Sequence, residues 1–265
     1  MAGRLEDKVA LVTGAGSSGP GWGNGKATAV LFAREGARVV ALDADLAAAE
    51  ETADIIEAEG GQCLALETNV TSSEQVKAAV DRTVEVYGRL DILHNNVGIV
   101  EVGGPVEASE ESWERVMAVN VSSMFLTCKH TLPHMVRQES GAIVNIGSVV
   151  GIRYLGVPYV SYSASKGAVL QLTQTVAMQY AHLNIRANCI LPGMLATPMV
   201  TGQLVESYGG GVEEMLRRRD EQTPIAKRGD AWDVAWAAVY LASDEACFVT
   251  GAQLVVDGGL TCKTV

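Results

Sequence analysis

The sequence predicts an α/β fold, a doubly wound parallel sheet with helices on both faces, and three observations carry that prediction. Short apolar runs of strand length alternate with segments of helical periodicity along the whole chain. The strand runs are continuously apolar rather than alternating, as expected of strands buried on both faces. Hydrophobic residues make up 48% of the 265 residues and charged ones 19%, which suits a sizeable core and argues against disorder.

The elements follow in order. Residues 8–13 form a first strand that runs into a glycine-rich loop. Helix 26–35 then carries Ala27, Val30 and Leu31 on one face, with Gly36 as its stop. Strand 38–43 leads to a helix with Leu46, Ala49, Ala53 and Ile56 at helical spacing, and strand 62–66 follows. Val76, Ala79, Val80, Thr83 and Val84 mark a third helix ending before Gly88. Strands 91–96 and 142–146 enclose a long, mostly helical segment, 110–137. Helix 162–181, strand 185–191, helix 230–243 and strand 253–256 complete the series. At roughly 150 residues per domain the length allows two domains or one large unit. The unbroken alternation favours one domain over 1–265, with 194–228, rich in Met, Gly and charge, as an excursion from it.

Net charge is −11, which disfavours nucleic acid and anionic membranes as partners. The one basic cluster, Arg217-Arg218-Arg219, lies among Glu213, Glu214, Asp220 and Glu221 and reads as a solvated helix face. Five scattered cysteines without a CxxC pair suit reduced thiols in a cytoplasmic setting. The first seven residues lack a signal-peptide core, and no apolar run reaches the roughly 18 residues of a membrane span. A soluble protein is expected.

The glycine loop holds Gly14, Gly16, Gly19, Gly21, Gly23 and Gly25 at the first strand–helix junction. Glycines there let backbone approach a pyrophosphate, which helix N-terminal N–H groups stabilise. Asp43, ending the second strand, is placed to accept from ribose hydroxyls and repel a 2′-phosphate; the competing reading is that Asp43 or Asp45 caps the next helix. With no Arg or Lys beside Asp43, or in the loop before Lys26, NAD is favoured over NADP. Tyr162 and Lys166 stand at i, i+4, about 5–6 Å apart at Cβ on one helical face, and a nearby cation is expected to lower the phenol pKa from about 10. Ser148 and Asn120 accompany them. His130 and His134 are also i, i+4, but Pro133 lies between them and no metalloprotease Glu follows, so no metal is expected. Trp232 and Trp236 share a helix face and read as core.

Together these segments resemble the single-domain branch of the short-chain dehydrogenase/reductase family. The matching pieces are Thr13-Gly14, Asn95-Asn96-Val97-Gly98, Asn120, Ser148, Tyr162/Lys166, Pro192-Gly193 and Asp257-Gly258-Gly259. The resemblance implies a seven-stranded Rossmann-like sheet and a catalytic tetrad of Asn120, Ser148, Tyr162 and Lys166. In it Tyr162 is the acid/base, Ser148 holds the substrate oxygen, Lys166 binds the nicotinamide ribose and Asn120 holds a water in a proton relay. It further assigns Gly14, Ser17, Gly23, Asn24, Gly25, Asp43, Asn69, Val70, Asn96, Gly98, Pro192, Gly193, Leu195 and Thr197 to the cofactor, alongside Tyr162 and Lys166. Arg153, Tyr154, Tyr159 and Met194, with Ser148, are substrate candidates; Arg153 reads equally as a surface residue. Homotetramers through helices 110–137 and 162–181 are also implied.

Three departures stand out. The glycine loop is about five residues long in excess, with Ser18 to Trp22 as the surplus. Asn69 stands where an Asp is usual beside the adenine, and Val97 replaces a small Ala. Two readings of the surplus stay open. It folds over the pyrophosphate or adenosine half of the cofactor with Trp22 as anchor, or it is a bulge in which Trp22 covers a neighbouring helix. The expected activity is NAD-dependent interconversion of a secondary alcohol and a ketone. An enoyl reductase and a non-catalytic dinucleotide-binding regulator are the alternatives. The first typically spaces its Tyr and Lys more widely, and the second would have lost a tetrad member. Met194, Leu195, Met199, Leu204, Val205 and Met215 make 194–228 an apolar substrate lid, suited to an apolar or cyclic small molecule.

Overall fold

The computed structural model describes residues 3–203, 211–225 and 227–263. Leu204 and Val205 lie outside them. Seven strands form one parallel sheet in the order β3-β2-β1-β4-β5-β6-β7: β1 Val9–Thr13, β2 Arg38–Asp43, β3 Gln62–Glu67, β4 Ile92–Asn95, β5 Gly141–Ile146, β6 Ile185–Pro192 and β7 Gln253–Val256. The order reverses between β1 and β4, where a doubly wound sheet opens its ligand crevice at the strand C-termini.

The period-two geometry of a strand explains how continuously apolar runs feed two cores. In β1, Ala10 and Val12 join one cluster and Val9 and Leu11 the other; in β5, Ala142, Val144 and Ile146 oppose Ile143. The first cluster is covered by α1 (Asn24–Arg34), α2 (Leu46–Ala58) and α9 (Ala231–Ala242). The second is covered by α3 (Ser73–Tyr87), α5 (Ser123–Gln138) and α6 (Val160–Tyr180). Ser72 and Asp45 cap α3 and α2, and Asp230 with Asp233 forms a capping box on α9.

The long helical segment is two helices, α4 (Glu110–Met117) and α5, joined by a π-helical turn over Ala118–Ser122 that contains Asn120. The excursion after β6 carries two helices, α7 (Pro198–Gln203) and α8 (Val212–Gln222). Trp232 packs in the core, but Trp236 is 50% exposed, contrary to the expectation for both. Trp22 and Arg34 lie against Trp232 in the first turn of α9: Trp22 is 4.8 Å from its ring and the Arg34 guanidinium 5.1 Å. Among the described residues no helix is long and apolar enough to cross a membrane, and all five cysteines are unbridged.

Candidate active site

A cleft of about 570 Å³ opens at the C-terminal ends of the strands, at the crevice the topology predicts. One end is a glycine cradle. A Cβ on Gly25 would sit 1.9 Å from the Gly14 carbonyl, so only glycine lets the first turn of α1 meet the loop after β1. Gly14 itself has φ +61°. The Asn96 amide ties the loop down by donating to the Gly14 carbonyl at 3.1 Å. Gly23, at the N-cap of α1, offers no side chain to the helix N–H groups, and the first turn has no acidic residue. That leaves a helix N-terminus suited to an anion.

Beside the cradle, the two aspartates divide the roles that the sequence left open. Asp45 caps α2 by accepting from the Ala47 N–H at 3.0 Å. Asp43 accepts from Gly16 N–H at 2.9 Å and Asp45 N–H at 3.1 Å, and lines the cleft. A carboxylate offers about four lone-pair sites, so acceptor capacity remains. Asn69 lines the cleft as well. Its Oδ1 accepts from the Thr71 N–H and hydroxyl, so the group it has left for a neighbour is its NH2 donor.

The surplus loop resolves into two parts. Ser18, like Ser17 before it, lines the cleft, while Trp22 packs at a tilt of 53° against Trp232 with the Lys26 ammonium 5.3 Å from its ring. Trp22 therefore covers α9, and the loop's near end, not Trp22, faces the cleft.

At the other end, α6 brings Tyr162 and Lys166 to the end of β5, where Ser148 caps a short 3₁₀ turn by accepting from the Val150 N–H. Ser148 and Tyr162 both line the cleft, and the Ser148 hydroxyl favours the charged form of the phenol. Lys166, buried, donates from Nζ to the Ile146 carbonyl at 2.9 Å and lies 5.6 Å from the Tyr162 ring. Burial holds its pKa down at about 8. Tyr162 departs from expectation: burial pushes its phenol up from the ordinary value, outweighing the downward pull of Ser148 and of the Arg219 charge. The Lys166 ammonium, which also lines the cleft, is held by the Ile146 carbonyl.

Asn120 is fully buried behind this end. Its Nδ2 donates to the Ile99 carbonyl and to Ser165 Oγ, both at 2.9 Å, and its Oδ1 accepts from Ile99 N–H at 2.8 Å. It locks the loop after β4 onto α6, and one Oδ1 lone pair is left to take a water. The π-turn that presents Asn120 is the sort of helix defect that recurs at functional sites.

The cleft is lined by every expected cofactor residue: Gly14, Ser17, Gly23, Asn24, Gly25, Asp43, Asn69, Val70, Asn96, Gly98, Tyr162, Lys166, Pro192, Gly193, Leu195 and Thr197. Ser148, Tyr159 and Met194 also line it. Arg153 and Tyr154 do not: Arg153 is exposed and donates to the Ile152 carbonyl, and Tyr154 is 77% exposed. Chain geometry after the 3₁₀ turn sends them outward and turns Leu155 and Val157 in. His130 is held by Ser73 and His134 by Arg137, so the two rings have separate partners.

A family model described as enoyl-(acyl carrier protein) reductase matches residues 20–261. The chain is 41% identical over 257 residues to a 3-oxoacyl-[acyl-carrier-protein] reductase of Thermotoga maritima, covering 97% of this chain and 99% of that one. It is 39% identical over 265 residues to a cyclohexanol dehydrogenase of an Acinetobacter species, covering 99% and 98%. A crystal structure from Burkholderia xenovorans assigned to the short-chain dehydrogenase/reductases superposes with TM-score 0.94 at 46% identity over 100% of both chains. Carveol dehydrogenase from Mycobacterium avium, solved with NAD, gives 0.92 at 29% identity over 98% of this chain and 100% of that one. The chain belongs to the short-chain dehydrogenase/reductase family.

As a short-chain dehydrogenase/reductase it is an oxidoreductase. Sequence reasoning missed one charged residue of this site, Arg219, which is buried and lines the cleft. The signal was its i, i+4 spacing from Met215, an apolar residue on the same face of α8.

Proposed function

We propose that the protein is an NAD-dependent dehydrogenase interconverting a secondary alcohol and a ketone, with Tyr162 as acid/base. The observation that carries this reading is the joining, in one cleft, of a glycine cradle flanked by a carboxylate with Ser148, Tyr162 and, 5.6 Å from the tyrosine ring, the Lys166 ammonium. The residues present fit a nicotinamide dinucleotide. The close approach of Gly25 to Gly14 and the uncapped N-terminus of α1 suit a pyrophosphate, and Asp43 suits a ribose diol. A bound nicotinamide dinucleotide supplies the hydride acceptor or donor.

The chain's own groups do the rest. Ser148 orients the carbinol or carbonyl oxygen, and Tyr162 Oη takes the carbinol proton in oxidation and returns it in reduction. Lys166, still largely protonated at neutral pH, supplies a positive charge beside the phenol, and such a charge favours phenolate. Asn120 positions the loop after β4, and its remaining lone pair supports a water for the proton path. Asp43, with Lys26 committed to Glu51, supports NAD over NADP. The chain pairs its tyrosine with Ser148 and Lys166 and resembles alcohol and ketoacyl enzymes over its full length, which supports alcohol chemistry over the enoyl reduction in the family model's description. Retention of the tetrad argues against a non-catalytic regulator.

Residues 194–228 are proposed as a substrate lid, in which Met194, Leu195, Met199 and Met215 favour an apolar, cyclic small molecule. A cytoplasmic homotetramer built on α5 and α6 is supported by free thiols and by Phe125 and Met178, 52% and 64% exposed on those helices. The experiment is incubation with NAD and a panel of secondary alcohols, read as absorbance of the reduced cofactor. Turnover supports the reading; none with NAD or NADP, in either direction, overturns it.

A further inference from the structure

Behind the wall of the cleft, on the sheet face covered by α5 and α6, four polar side chains interrupt an aliphatic core. Asn95 is the last residue of β4 and Asn145 the last but one of β5, and the two are register partners, so their side chains stand side by side. Thr127 meets them from α5 and Thr173 from α6. All four are buried, none more than 1% exposed. They form one chain of hydrogen bonds with every donor pointing the same way. The Thr127 hydroxyl donates to Asn95 Oδ1 at 2.7 Å, Asn95 Nδ2 to Asn145 Oδ1 at 2.9 Å, and Asn145 Nδ2 to Thr173 Oγ1 at 2.9 Å. The chain ends where the Thr173 hydroxyl donates to the Val169 carbonyl at 2.7 Å.

Stability alone does not call for such a chain, because apolar groups of matching shape in place of a hydrogen-bonded pair are nearly neutral. What the bonds add is direction. The neighbouring contacts on this face, Leu93, Ile143, Leu132 and Ala177 among them, are apolar and do not fix one helix position. A linked set of buried bonds does, since a shift of either helix would leave polar groups unpaired at low dielectric. The chain also meets the elements of the site where register matters. Thr173 is seven residues, two turns, beyond Lys166 on one face of α6. Asn145 binds Thr173, and the carbonyl of the next residue, Ile146, accepts from Lys166 Nζ at 2.9 Å, so α6 is clamped to the end of β5 at two points. On the other side, Thr127 lies in the second turn of α5, which follows the π-turn that holds Asn120. Its partner Asn95 runs directly into Asn96, which lines the cleft.

We propose that Thr127, Asn95, Asn145 and Thr173 are positioning residues for the reaction: their hydrogen-bonded chain sets α6, with Tyr162 and Lys166, against the end of β5, and α5, with Asn120, against the end of β4. This rests on the dehydrogenase reading above and extends its machinery to residues that do not line the cleft.

The test is Thr173→Val, which keeps the shape of the side chain and removes the hydroxyl that Asn145 binds, beside Thr173→Ser, which returns it. With NAD and a secondary alcohol that the wild type oxidises, kcat should fall about tenfold or more in Thr173→Val, with KM and the NAD dissociation constant within about threefold, and should recover in Thr173→Ser. A second reading needs no turnover. Burial holds the Lys166 pKa at about 8, and an α6 released from β5 lets water reach the ammonium. Its titration in the free protein, followed by 13C NMR at lysine Cε, should therefore move up by about half a pH unit or more in Thr173→Val. A hydroxyl with a purely structural role would lower the melting temperature alone. A folded Thr173→Val with kcat within about twofold of wild type and an unmoved Lys166 titration overturns the proposal and leaves the dehydrogenase reading intact. Should that variant fail to fold, Thr127→Val beside Thr127→Ser decides from the α5 end: a kcat fall of about tenfold that the serine restores supports the proposal, and kcat within about twofold overturns it. If the wild type oxidises no alcohol and reduces no ketone with NAD or NADP, the dehydrogenase reading falls, and the Lys166 titration judges the clamp on α6 by itself.

Discussion

Replacing Asp43 by Asn removes one charge from the glycine-cradle end of the cleft while keeping an oxygen for the Gly16 N–H that the carboxylate holds at 2.9 Å. Alanine would also release Gly16 and the Asp45 N–H, loosening the loop, so Asn is the cleaner change. A hydrogen bond to a charged acceptor contributes about 1.5–3 kcal/mol, so losing its charged character should weaken NAD by up to about 10- to 150-fold. The repulsion between a carboxylate and a ribose 2′-phosphate is about 4 kcal/mol at 4 Å and an effective dielectric of 20, and smaller at this partly exposed site. NADP should thus gain up to about tenfold, because the nearest loop cation, Lys26, is held by Glu51 at 2.6 Å and lies against Trp22. The NAD:NADP affinity ratio, measured by titration calorimetry with each dinucleotide, should fall by about 100-fold. A wild-type protein that binds NADP as well as NAD, or an Asp43→Asn ratio unchanged from wild type, would refute the assignment.

Two further outcomes concern stability. His94 is fully buried, edge-on to Phe32 at 5.9 Å, and burial lowers its pKa to about 3. The unfolded chain binds a proton there below about pH 6.5 that the folded chain refuses, so stability falls as pH drops from about 6.5 toward 3, by up to about 1.4 kcal/mol per pH unit. Urea unfolding at pH 7 and pH 5 should show a smaller acid loss for His94→Leu than for wild type; equal losses would refute the claim. Trp22→Ala should cost about 2 kcal/mol, less than a fully buried Trp, since the ring is only partly buried against Trp232. That corresponds to roughly 4–8 °C in melting temperature for a chain of this size, with NAD affinity within about threefold of wild type because Ser17 and Ser18, not Trp22, line the cleft. An unchanged melting temperature would show that the Trp22–Trp232 contact contributes nothing.

The sheet was legible because each strand is a closed apolar run between breakers, so β2 and β7 begin and end where the runs do. The glycine-cradle end of the cleft was legible because glycines and a strand-terminal Asp are tied to single backbone positions. Three parts were not. The π-turn at Asn120 is a slip in main-chain hydrogen bonding and leaves no side-chain period to read. Arg219 was hidden in a run of three arginines among acids, where composition says solvent and only the spacing from Met215 says otherwise. The upward direction of the Tyr162 shift comes from burial, and i, i+4 spacing fixes the proximity of two side chains but not how deeply they are buried.

The central claim is that Tyr162 carries the proton in hydride transfer to NAD. Tyr162→Phe removes one hydroxyl and keeps the ring that packs beside Tyr159 at 6.1 Å. The decisive measurement is kcat for a secondary alcohol with NAD, beside the NAD dissociation constant, in that variant and in wild type. The account predicts a fall in kcat of about 10²–10⁴-fold or more with NAD affinity nearly unchanged. A variant that keeps most of its turnover would contradict it.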